Sequence, residues 1–179
     1  MNKKWWIPIF AIIFFDIESI FANYFPVQLI SEDWICVPRF LLSFFIFIAV
    51  YYDKKLALIY GLVFGLIMDI VFIDILGIYL FWYPAIIYGV SKLMKIIHTH
   101  LLILAFITLL AITVLEFGVY GFNFILQITD MPIEHFVNNR LFPTLLLNLV
   151  FYLLLAYPLK KYFTLIKKVK EEEEGMFQS

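Results

Sequence analysis

The chain has one cysteine among 179 residues, Cys36, which excludes an internal disulfide and any cysteine-based metal cluster. Charge is also scarce, at 15% of residues, against about 25% in an ordinary soluble domain. The formal net charge of -1 leaves no basic face for nucleic acid. What fills the chain instead is apolar: 64% of residues are hydrophobic, and the mean hydropathy is +0.97. A fold of this size has too little interior to hide that much apolar surface from water, so lipid is the expected solvent.

Apolar segments fall at 5–25, 38–52, 56–73, 75–91, 101–126 and 141–158. A membrane-crossing helix needs roughly 17–25 such residues, and the second, third and fourth segments are short. The expectation is an all-α, polytopic membrane bundle of about six helices. Residues 1–160 would form the membrane domain and 161–179 a charged tail, solvated because Lys167-Lys-Val-Lys-Glu-Glu-Glu-Glu-Gly is too polar to pack. The start, with Lys3, Lys4 and an apolar run, has the charge pattern of a signal peptide. Asp16 and Glu18 interrupt it, and it reads as a retained first span.

The cations orient the bundle. All eleven lysines cluster at 3–4, 54–55, 92–95 and 160–170, and placing them inside leaves only Arg39 and Arg140 outside. Both termini are then cytoplasmic. Segment 56–91 must go out and return, turning at Asp74-Ile-Leu-Gly77; a re-entrant pair is the alternative. Trp5 and Trp6 suit an inner aromatic belt and Trp34 an outer one. Pro38 and Pro143 fall in the first turns of their helices, and Pro84 should kink the fourth.

Four ionisable groups interrupt the apolar runs: Asp16, Glu18, Asp69 and Glu116. An acid in hydrocarbon costs at least a few kcal/mol and marks a candidate functional site. Helix rise puts Asp16, Asp69 and Glu116 about 17, 20 and 22 Å above the inner boundary, in the outer half of a core about 30 Å thick. Arg39 and Arg140 enter from that same side. At least one arginine–carboxylate pair is therefore expected, with Arg39 or Arg140 meeting Glu18, Asp69 or Glu116. The layer either holds the bundle together or faces a partner or ligand, or some of its carboxyls are protonated because desolvation raises their pKa.

Three stripes follow helical spacing. Ala57, Gly61 and Gly65 lead to Asp69 and should let another backbone approach, with Phe64 pointing elsewhere. Glu116, Tyr120, Asn123 and Gln127 form the second; Arg140, Thr144, Asn148 and Tyr152 form the third. Asp16 and Glu18 lie about 200° apart round their helix and cannot share a face.

Enzyme chemistry finds little support. Asp69 lacks the Gly-x-Gly-Asp setting of an intramembrane aspartyl protease, and no Ser/His pair lies at membrane depth. There is no Gly-rich phosphate loop and no His/Glu metal spacing. His98, His100 and His135 are scattered outside the apolar runs. An ion-coupled carrier would show broken helices in two matching halves, and only Pro84 breaks one. No cofactor is expected.

Several segments together resemble the rod shape-determining protein MreD family over nearly the whole chain. They are Phe14-Phe-Asp-Ile-Glu-Ser-Ile-Phe21, Val37-Pro-Arg-Phe40, Ile59-Tyr-Gly-Leu-Val-Phe-Gly-Leu-Ile-Met-Asp-Ile70, Leu76-Gly-Ile-Tyr-Leu-Phe81 and Asn139-Arg-Leu-Phe-Pro-Thr-Leu-Leu-Leu-Asn148. The resemblance implies a non-enzymatic subunit of the wall-elongation machinery in the bacterial cytoplasmic membrane. Its implied partners are MreC, the synthase RodA with its class B penicillin-binding protein, MreB indirectly or at the cytoplasmic face, and membrane lipid. It also implies a six-helix arrangement similar to the substrate-binding subunits of energy-coupling-factor vitamin transporters. Such a vitamin-binding subunit is the rival reading of the function.

Overall fold

A computed structural model describes residues 5–24, 33–73, 75–97 and 100–176. Lys3, Lys4, Asp74 and His98 fall outside these. Among the described residues the chain is helical throughout, with six long helices and no strand. α1 is Trp6–Tyr24, α2 Phe40–Tyr51, and α3 Lys54–Met68, which continues as a π-helical turn, Asp69–Ile73. α4 is Ile78–Ile96 and α5 Leu101–Ile125. One turn, α6 (Ile133–His135), passes through a π-helical stretch, Phe136–Leu141, into α7 (Phe142–Met176). Lys54–Phe72, Leu101–Ile125 and Ile133–Glu172 are each long and apolar enough to cross a membrane; Phe40–Tyr51 is apolar but shorter.

The polarity of the bundle is inverted relative to a protein folded in water. Leu102, Phe106, Leu153 and Leu154 are more than 60% exposed, while Glu18, Arg39, Asp69, Glu116 and Asn148 are buried. Lipid solvates the apolar exterior, and the polar groups must find partners inside. α2 sits at the centre. Its residues Phe40 to Ile48 are all buried, and it touches α1, α3, α4, α5 and α7. A helix buried on every side shows no amphipathic period.

α3 and α4 form the closest pair, antiparallel across a turn that ends at Gly77. Gly77 has φ 118°, a conformation side chains rarely adopt. A Cβ on Gly65 would stand 2.6 Å from the Tyr79 carbonyl oxygen, and one on Gly61 2.6 Å from Ile87 Cδ1. Ala57 is fully buried on the same side. The small-residue stripe is thus where the α4 backbone lies against α3. Phe64 does point away from α4, but not to lipid. It is 7% exposed and meets Phe15, Phe45 and Tyr60, so it packs inside the bundle.

The last helix also differs from its expected bounds. It begins at Ile133, eight residues before 141, and passes Pro158 without a break. Pro143 is therefore inside a continuous helix. It has no N–H to offer the carbonyl four residues back, and that carbonyl, Asn139 O, accepts from Ile35 N at 2.7 Å instead. The π-helical stretch just before Pro143 absorbs the mismatch. Beyond residue 160 the helix still packs, since Phe163 and Ile166 are buried. Lys170 Nζ reaches Asp53 Oδ2 at 2.9 Å. Packing thus extends into the segment expected to be a solvated tail.

Candidate functional site: a buried arginine–carboxylate cluster

Glu116 of α5 is fully buried and is the centre of the cluster. Arg39 closes on its Oε1 from Nη2 at 2.6 Å and from Nε at 2.7 Å. Arg140 donates from Nε to its Oε2 at 3.1 Å. Each oxygen is held by a different arginine, rather than both by one fork. Arg39 also donates from Nη2 to Tyr79 Oη at 2.8 Å and lies 5.0 Å from the centre of that ring. Charge-assisted bonds of this length are the strong ones.

Arg39 is aimed by its backbone. Pro38 has no N–H, and the residues on either side of it are clamped to α7. Val37 N donates to Thr144 Oγ1 at 3.0 Å and Arg39 N to Asn148 Oδ1 at 2.8 Å. Asn148 Nδ2 donates in turn to the Val37 and Thr144 carbonyls. Three polar residues of the third stripe, Arg140, Thr144 and Asn148, thus surround the entry to α2. The fourth, Tyr152, bonds the Leu101 carbonyl and ties α7 to the start of α5.

The other two buried acids of the layer have a different role. Asp69 accepts three backbone N–H groups: Gly77 and Leu80 on Oδ2 at 2.8 and 3.0 Å, and Tyr79 on Oδ1 at 2.7 Å. It caps the N-terminus of α4, satisfying donors the helix cannot pair itself. Glu18 accepts from Leu41 N at 3.0 Å and does the same for α2. Among the described residues, neither makes a salt bridge to an arginine. Capping from another helix leaves no sequence signature, so these roles were not visible in the chain alone. Nor was Gly118, where a Cβ would collide with the Trp82 indole.

The second stripe divides. Tyr120 Oη holds the Met131 carbonyl at 2.8 Å, and Gln127, just past the end of α5, takes φ 57°. Asn123 borders a cavity of about 260 Å³ shared with Glu18, Arg39, Tyr79 and Arg140. Among the described residues, Glu18 Oε2 and Asn123 Oδ1 are buried without a hydrogen-bond partner. Asp16 is exposed on the opposite side of α1 and takes no part. Among the described residues, no three His, Cys, Asp or Glu side chains gather to hold a metal.

Fold and cluster together define an all-helical membrane bundle whose buried ionisable groups bind one another and helix ends. The family model for the rod shape-determining protein MreD matches residues 3–166. Over 171 residues the chain is 33% identical to "Rod shape-determining protein MreD" of Bacillus subtilis (strain 168), covering 96% of this chain and 99% of that protein. The chain belongs to the MreD family of rod shape-determining proteins. No solved structure matches it.

Proposed function

We propose that this chain is a non-enzymatic scaffold subunit of the bacterial cell-elongation complex. It binds MreC, associates with RodA and its class B penicillin-binding protein, and helps couple MreB filaments to peptidoglycan synthesis. It sits in the cytoplasmic membrane as a multi-pass protein with both termini inside. Family membership supports the role in cell shape. The observation that carries the scaffold reading is how Arg39, Arg140, Glu116 and Asp69 are used. Their charged atoms bond to one another or to helix ends. The gathering of Lys54, Lys95 and Lys167 around one cavity, away from the arginine cluster, supports the orientation.

The test is recovery of the tagged chain from mild detergent with identification of the membrane proteins that accompany it. MreC should co-purify, and depletion of the chain should turn rods into spheres. Recovery without MreC, with a vitamin retained, would favour a transporter substrate-binding subunit instead. The outer cavity is the feature that reading would use, but at about 260 Å³ it falls below the roughly 300–1,000 Å³ of small-molecule pockets.

A further inference from the structure

α1 has two unlike faces. Ile7, Ala11, Phe14 and Glu18 recur at helical spacing and are buried against the bundle. On the other side Ile9, Ile12, Ile13, Ile17 and Ile20 are 42–59% exposed. At about 100° per residue these five fall within one stripe, and Asp16, also exposed, falls in its middle. No hydrogen bond or ion pair reaches Asp16 from the described residues. Asp16 is ten residues past Trp6, where the helix begins, which puts it about 15 Å along, near the centre of a core about 30 Å thick.

We infer that this α1 face is the docking surface for a single transmembrane helix of a partner protein, one carrying a lysine or arginine opposite Asp16. The inference rests on the scaffold reading and names the surface through which it works. Lipid fits the isoleucines but offers Asp16 no donor in the hydrocarbon. A second copy of the same face would set carboxylate against carboxylate. A partner helix with one basic residue satisfies both parts of the surface. Five β-branched side chains are stiff at χ1 and lose little freedom on docking. Small differences in the position of the cation along the partner helix would fix the register.

The experiment is photo-crosslinking in growing cells, with p-benzoylphenylalanine placed in the full-length chain at Ile13 or Ile20, and at Leu154 as a lipid-facing control. The stripe positions should yield a product whose crosslinked peptide maps within a transmembrane segment, with Lys or Arg within one helical turn. Asp16→Leu should lower that yield at least tenfold and Asp16→Glu should preserve it. Asp16→Leu should not lower the Tm of the purified chain, because Asp16 supports nothing within the bundle. Adducts with lipid alone, a crosslink to a second copy, a partner segment without a cation, or a yield unchanged by Asp16→Leu would each overturn the inference. If MreC still co-purifies with the tagged chain while the stripe crosslinks only lipid, the docking surface is wrong and the scaffold reading stands. If no wall-elongation protein is recovered, the scaffold reading itself falls.

Discussion

Removing Glu116 should damage the bundle more than removing either arginine. Glu116→Leu strands two guanidinium groups at once. Arg39 is 4% exposed, and the Arg140 side chain is 28% exposed. Breaking one member out of a buried ion pair typically costs about 3–5 kcal/mol. Arg39 has no water to turn to, whereas Arg140 has some. Arg39→Leu is gentler, since Glu116 keeps Arg140 on Oε2. The loss is then mainly an unpaired Oε1 and an unpaired Tyr79 hydroxyl, each costing about 1–3 kcal/mol. In the double variant, Arg39→Leu with Glu116→Leu, two apolar side chains fill the space between α2 and α5, and of the three-residue cluster only the partly exposed Arg140 keeps a charge without its partner. The double should therefore be more stable than Glu116→Leu alone, with a coupling energy of at least ~1.5 kcal/mol against the ~0.3–0.5 kcal/mol scatter of independent sites. Equilibrium unfolding of the purified chain in mixed micelles would measure all four proteins of the cycle. Additive losses, or a double variant less stable than both singles, would refute the reasoning.

Gly65→Ala should destabilise more than Gly61→Ala, because its new methyl meets the Tyr79 backbone whereas that of Gly61 meets the tip of Ile87; overpacking of about 1–3 kcal/mol is expected, read as a lower Tm in detergent. Asp69→Ala should cost more than the ~0.5–2 kcal/mol of an exposed cap, since three N–H groups lose their acceptor; Asp69→Asn should recover part of it in the same melt. Partial burial raises the Asp53 pKa, but its bond from Lys170, the Leu56 and Lys55 N–H groups and the Lys170 charge outweigh this and hold it below its ordinary value. Its contribution is therefore complete above the ordinary carboxylate range and fades as pH falls through the lower, folded value. The part of the Tm gap between wild type and Lys170→Gln that this ion pair supplies, worth less than about 1 kcal/mol for a partly exposed pair, should be present at pH 7 and be lost in acid, narrowing the gap. In a Cys36→Ser background, cysteines at Ile128 and Lys168 should label from opposite sides of the membrane; labelling from one side would overturn the orientation.

The helices were legible because a membrane chain must close its backbone hydrogen bonds within each segment, so long apolar runs leave few alternatives. Among the described residues Lys54, Lys95 and Lys167 gather round one cavity, and Arg39 and Arg140 line another. The attraction between those arginines and the buried acids followed from depth alone. Which acid they chose did not. Asp69 and Glu18 share the layer with Glu116, yet they serve the helix starts at Gly77 and Leu41, which lie near them only once α3 has folded onto α4 and α1 onto α2. The burial of Phe64 was not legible for a related reason. In water, an apolar period marks the buried face; in lipid, an apolar side chain suits the core and the exterior equally, so periodicity says little about facing.

From its sequence alone this protein is an all-helical membrane bundle, with a set of helices, a small-residue contact in α3 and a scarce population of polar groups that must meet inside. Those follow from hydrocarbon acting as solvent, which penalises every unpaired backbone or charged group wherever it lies. Tertiary structure alone decided the pairings: two arginines on one glutamate, two acids capping helices other than their own, and Asn139 O freed by Pro143 to receive Ile35. It also decided that Asp16, two residues from a buried acid, faces outward. Pairings depend on which helix ends come within about 3 Å of each other, and hydrogen bonds have no reach beyond that distance.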